Sequence, residues 1–217
     1  MVDRLLHIYR VMIERALYYA PWKLSTMVVL PKLGKPHYDT PKAYRSIALL
    51  NTLCKVLTAI AAELMTFYTE KYHLLPANHF GGGPGRTTSD AVHLLLHKIK
   101  DSWQKKQVTV VLFLNIESAF PNTVTSQLLH NMRKRGLPGP LVDFTGSMLI
   151  NRRTTLQFDD HTSEEILLDN RIRQGDLLSM ALYQYYNADI LGIPSMPQES
   201  AEAYVDDTIA IKWARQI

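Results

Sequence analysis

Apolar residues recur at helical spacing over residues 3–19, and Pro21 predicts the end of that helix. Residues 26–31 (TMVVLP) read as a short strand, followed by a polar loop marked by Gly34, Pro36, Asp39 and Pro41. Asn51 or Thr52 then caps a long helix to Tyr72. The glycine run from Gly81 to Gly85 is the most flexible stretch the pattern offers, and Thr88 or Ser89 opens a further helix towards Lys106. Residues 108–114 (VTVVLFL) are continuously apolar, the pattern of a strand buried on both faces. Helices are predicted at 123–135, ending at Gly136, and at 139–150. Residues 154–158 and 165–168 flank the turn-rich Asp159-Asp160-His161 as a hairpin. A helix over 178–191 leads through a Pro-rich loop to a second hairpin, 201–205 with 208–213, whose tip is Asp206-Asp207. No internal repeat interrupts this outline, which is α+β with antiparallel strands against several helices.

Composition narrows the class. Hydrophobic residues make up 47% of the 217, enough for a sizeable core in one large domain or two small ones. The single Cys54 excludes a disulfide framework and a cysteine-rich zinc site, and fits a reducing intracellular compartment, nucleus or cytoplasm. No run of 18 apolar residues occurs, so no membrane span is expected, and the charged N-terminal helix is not a signal peptide. The net charge of +4 conceals an asymmetry. Residues 1–110 carry 15 Lys/Arg against 7 Asp/Glu, and residues 111–217 carry 9 against 13. A basic first half suits a polyanion, although ordinary surface charge explains it equally well.

Three segments could carry chemistry. Tyr204-Val205-Asp206-Asp207 places two acids side by side at a hairpin tip, and paired carboxylates are the usual way to hold Mg²⁺. On its own an Asp-Asp turn is more often only a turn. The strand 108–114 changes that balance, because it ends in Asn115-Ile116-Glu117-Ser118-Ala119-Phe120, where a neighbouring strand end could complete a metal clamp. Arg173-Gln174-Gly175-Asp176-Leu177-Leu178-Ser179 is a glycine-containing turn opening a helix, whose N-terminus could face a nucleotide. Other signals carry less. His93 and His97 have zinc spacing but no third ligand, and the glycine run lacks the Lys-Ser/Thr of a phosphate-binding loop. Arg133-Lys134-Arg135 reads as a solvated helix end, and Tyr183, Tyr185 and Tyr186 as packing.

In this order, the segments resemble the reverse transcriptases of non-LTR (LINE-like) retrotransposons. Phe113 to Phe120 is similar to the first palm motif, Gln174 to Ser179 to the Gln-Gly motif, and Tyr204 to Asp207 to the Asp-Asp box. Upstream, Tyr44 to Asn51 and Phe80 to Thr88 are similar to the two fingers motifs, so the likeness runs from about Trp22 to Trp213. It implies a right-hand polymerase fold, fingers plus palm, with an antiparallel palm sheet packed on helices. Residues 1–107 would be fingers-like, with the N-terminal helix, and residues 108–217 palm-like. The implied reaction adds dNTPs to a DNA primer on an RNA template with two Mg²⁺ ions. Asp206 and Asp207 would hold metal, with Asn115 at the position of the third acid. Phe120 would lie under the incoming sugar, Gln174 and Gly175 against the nucleotide, and Lys32 or Lys35 with Arg45 on the triphosphate. Cations on the phosphates matter more here than covalent chemistry.

The sequence departs from that pattern where it matters most. Asn115 stands where the family has Asp, and a neutral amide offers one carbonyl oxygen in place of a carboxylate. Glu117 could substitute only if the strand continued to it. Ser46, Gly82, Gly83, Arg171 and Leu177 also differ from the usual motif residues, and the sequence ends ten residues after Asp207, before any thumb. A degenerate or partial copy with impaired catalysis is therefore expected, the alternative being a non-catalytic RNA- or DNA-binding remnant.

Overall fold

The computed structural model describes residues 2–83, 85–168 and 171–215. Helix α1 (Val2–Glu14) ends earlier than its apolar pattern predicts. Ala16 takes a left-handed φ of 52°, and Leu17 N returns to Met12 O at 2.8 Å, so a backbone closure stops the helix before Pro21 can. Pro21 lies instead in a short 3-10 turn leading into β1 (Leu24–Pro31), which pairs with β2 (Tyr44–Leu49). Asn51 caps α2 (Thr52–Tyr72) by accepting from Leu53 N at 2.9 Å, and Thr87 with Asp90 forms a capping box on α3 (Thr88–Gln104). Next along the chain come β3 (Gln107–Asn115), α4 (Thr125–Lys134), α5 (Gly139–Leu149) and the strands β4 (Arg152–Phe158), β5 (His161–Thr162) and β6 (Ile166–Leu168). Asp176 caps α6 (Leu177–Asn187), a 3-10 turn continues it, and the hairpin of β7 (Glu199–Tyr204) and β8 (Asp207–Arg215) comes last.

Two sheets result. The first has the order β2-β1-β4-β5, with β6 also on β4, and β1 runs parallel to β4. It draws strands from both sides of residue 107, so the sheets do not follow a division of the chain there. The second is wholly antiparallel, in the order β3-β8-β7. The helices supply most of the core. Leu57 of α2, Leu128 of α4, Val142 and Phe144 of α5, and Leu178 of α6 are all completely buried. Each such side chain contributes about 1.5–3 kcal/mol by leaving water.

Strand β3 corrects one expectation. It is an edge strand, and Val110 and Phe113 are 63% and 68% exposed, not buried on both faces. A continuous apolar run states only that neither face is polar; neighbours decide burial, and β3 has β8 on one side alone among the described residues.

Candidate active site

The β7–β8 hairpin closes on two residues, Val205 and Asp206, and Tyr204 pairs directly with Asp207. Val205 takes a φ of 56°, a region that a β-branched side chain avoids at a cost of about 1–3 kcal/mol, so the surroundings must hold the turn. They do. Asn187 Nδ2, at the last turn of α6, donates to Val205 O at 2.6 Å, and Val205 is itself buried. Gly81 presses against the same residue so closely that a Cβ there would lie 2.7 Å from Val205 N. The glycine run is thus not simply flexible. Its first member is buried and fitted to the turn, because only a residue without a side chain fits between the segments.

On the other side of β8, the register sets Asn115 opposite Asp207. Paired residues on antiparallel strands have Cα atoms about 4.5–5.5 Å apart. Asn115, Asp207 and the adjacent Asp206 therefore converge, although about ninety residues separate the first from the others. Asp206 also lies near the Tyr183 hydroxyl, whose pKa is pushed up to about 12 by burial and then by the Asp206 charge and Tyr186. Glu117 is not drawn in. The strand stops at Asn115, and Glu117 instead pairs with Lys42 at 2.8 Å, which holds its carboxyl below the usual range. Among the described residues, no three of His, Cys, Asp and Glu gather as metal ligands. The donor set fits one hard cation on two carboxylates, completed by water or phosphate oxygens. It does not fit two ions clamped by three acids.

The residues that the resemblance assigns to the nucleotide are linked through the segment before α6. Ile172 N donates to Phe120 O at 3.0 Å, and Ala48 N to Gln174 O at 3.1 Å. Gly175 has a φ of 97° and packs on β2, where a Cβ would come within 3.3 Å of Ile47 Cγ2. Gln174 and Gly175 are exposed, and the Phe120 ring lies 5.1 Å from that of Tyr183. Arg45 is exposed on β2. Lys32 is less available than its sequence position suggests, since its amine donates to Lys42 O at 2.8 Å, while Lys35 stands exposed in the loop beyond.

Sequence reasoning missed the supports. Arg152 and Arg173 are almost wholly buried, without a carboxylate partner among the described residues. Arg152, at the start of β4, donates to Leu149 O and Arg171 O, and Arg173 to Trp22 O and Lys23 O, so the two guanidinium groups fasten the Gln174 segment to the start of β4, the end of α5 and the 3-10 turn before β1. Burial lowers the Arg152 pKa to about 10, with Arg173 adding to the effect. An isolated Arg in sequence gives no hint of such a role. His93 and His97 are exposed on α3, and Tyr183 and Tyr185 are core residues, as packing predicts. Arg133 pairs with Asp143, and Lys134 and Arg135 both pair with Asp189.

Residues 30–213 match the reverse transcriptase (RNA-dependent DNA polymerase) family. The chain belongs to that family. A Drosophila melanogaster protein described as a probable RNA-directed DNA polymerase from transposon X-element is 30% identical over 189 residues, 87% of this chain and 20% of that one. The RNA-directed DNA polymerase from mobile element jockey, from the same organism, is 23% identical over 90% of this chain and 22% of its own. These relatives make the chain a reverse-transcriptase domain of the non-LTR retrotransposon kind, spanning about a fifth of their length. The solved structure of Candida albicans telomerase, in complex with a fragment of telomeric RNA, superposes with a TM-score of 0.64. It covers 95% of this chain and 42% of the telomerase at 8% identity. Apo telomerase from Candida tropicalis, truncated from its C-terminal domain, gives 0.63 over 89% and 44%, at 9% identity. Those likenesses establish the fold, fingers and palm of a reverse transcriptase.

Proposed function

We propose that this domain keeps the nucleic-acid and nucleotide surfaces of an RNA-directed DNA polymerase but transfers nucleotides poorly. The observation that carries this reading is the pairing of Asn115 with Asp207, an amide where the site needs a third carboxylate. Asp206 and Asp207 would hold one Mg²⁺, which supplies charge neutralisation to triphosphate oxygens. Arg45 and Lys35 add positive charge on the triphosphate, Phe120 supports the sugar, and Gln174 with Gly175 faces the base pair. The partners are an RNA template, a DNA primer and dNTPs, in the nucleus or cytoplasm. No helix among the described residues is long and apolar enough to cross a membrane. The basic half of the chain favours a second, compatible role, binding RNA or DNA without turnover. Binding of a primer–template should then weaken by orders of magnitude between ~50 and ~200 mM salt, as several phosphate contacts require.

Primer extension with Mg²⁺, run side by side on the chain and on Asn115→Asp, tests the catalytic reading. One lost electrostatic stabiliser commonly costs ~10²–10³ in rate, so the parent should extend far more slowly than the variant. Equal, robust extension by both would contradict it.

A further inference from the structure

We infer that His79 and Asn187 form a buried strut that positions the Asp206-Asp207 carboxylates, acting through the backbone of Val205. The inference rests on the reading of those carboxylates as metal ligands, but the strut itself is defined by bonds that involve neither of them.

The hydrogen-bond logic fixes every member. Val205 O can only accept, so the Asn187 amide nitrogen faces it, at 2.6 Å. That leaves Asn187 Oδ1, an acceptor, facing His79 Nε2 at 3.0 Å, so Nε2 carries the imidazole proton. His79 is 2% exposed and Asn187 4%, and burial holds the imidazole neutral, its pKa below the ordinary value despite the Asn187 bond. The far end of the strut is anchored in turn. His79 N donates to Pro76 O at 3.0 Å, Arg86 Nη1 to His79 O at 2.8 Å, and Phe80 N to Ala203 O at 2.7 Å.

The turn needs this support because its sequence works against its shape. A two-residue hairpin turn with positive φ at the first central position favours glycine there, and this chain has Val205. Nothing in Val205 itself selects the conformation. The Asn187 bond and the close approach of Gly81 select it, and the next two residues along the chain are Asp206 and Asp207. His79 and Asn187 are thus positioning residues. They touch neither substrate nor metal, and they decide where the two acids stand relative to Asn115.

Two readouts on the folded protein test this. The first is amide hydrogen exchange at Asp206, Asp207 and Thr208, which needs no metal, with α2 amides as the internal control. The second is Mn²⁺ affinity, from paramagnetic broadening. Asn187→Leu keeps the branched shape, at a somewhat larger volume, and removes both bonds. It should speed exchange at the turn by about threefold to tenfold, the size of one lost hydrogen bond, with α2 unchanged. Mn²⁺ binding should weaken by a similar factor. His79→Gln places an amide donor near Nε2 and should stay close to the parent, whereas His79→Phe should behave like Asn187→Leu. If Asn187→Leu does not fold, the two His79 variants decide. Turn exchange equal to the parent's in His79→Phe, or faster only in step with α2, overturns the strut. A parent that binds no Mn²⁺ overturns the metal reading instead, and the exchange data still judge the strut.

Discussion

The two edges of the second sheet are finished in different ways. Along β7 a backbone segment closes the edge: Phe80 N donates to Ala203 O, Ala203 N to Asn78 O, and Asn78 Nδ2 to Ala201 O. Ala201 and Ala203 are buried there, and the strained turn at Val205 is gripped from two directions. Along β3 the outer edge is bare among the described residues, and Val108, Val110 and Leu112 stand half or more exposed. The two acids proposed to hold metal lie at the tip of the supported hairpin, Asp207 as the first residue of the central strand β8, and Asn115, the uncharged member of the trio, ends the unsupported edge strand. A strained turn can persist only where its surroundings over-determine it, which explains why the support is concentrated at the Asp-Asp hairpin. An Asn in place of an Asp at a strand end disturbs no packing, so the fold tolerates a loss that the proposed chemistry does not.

This contrast can be broken by experiment. Gly81→Ala should have the largest effect, about 1–3 kcal/mol of destabilisation in denaturant titration, because its Cβ would collide with the Val205 backbone. Phe113→Ala on β3 should change stability by less than about 0.5 kcal/mol; a comparable cost at the two positions would show that the edges are equally packed. A second, smaller effect concerns pH. Burial, reinforced by Arg86 and Arg135 and opposed by the Asn187 bond, depresses the His79 pKa in the folded state. The unfolded chain then binds more protons, so this contribution is complete above the unfolded pKa of about 6.5 and is lost as pH falls through the folded value. Stability curves of the parent should fall below pH 6.5 by more than those of His79→Gln, and parallel curves would place the dependence elsewhere. The smallest effect on stability belongs to Val110→Lys, within about 0.5 kcal/mol. It should nonetheless reduce self-association in sedimentation experiments, because a charge blunts a bare apolar edge. Association unchanged from the parent's would show that the β3 edge does not drive it.

Much of the fold was legible in the sequence because it is written in local signals. Asn51 and Tyr72 bound a helix by cap and period, and turn residues mark both hairpins. The convergence of Asn115 with Asp206 and Asp207 was legible only through family resemblance, since no local rule connects residues so far apart. Three features were not legible. The exposure of β3 depends on neighbours, not on its own residues. The left-handed Ala16 that ends α1 has no propensity signal, and Pro21 offered a reasonable but incorrect stop. The roles of His79, Asn187, Arg152 and Arg173 arise from buried bonds to backbone carbonyls and to one another, which any polar side chain could in principle make. The glycine run misled in a specific way. Glycine permits flexibility, yet at Gly81 it serves close approach, and the sequence is the same in both cases.

The claim that the site is one carboxylate short is tested most directly by divalent-ion affinity. Mn²⁺ titration, followed by paramagnetic broadening of resonances near Asp206, should be run on the parent and on Asn115→Asp under identical conditions. Restoring the charge opposite Asp207 should tighten binding by about tenfold or more, since even the hydrogen-bond partners of metal ligands are worth ~10–100-fold in affinity. Equal affinities in the two proteins would contradict the account and would mean that Asn115 does not face the ion.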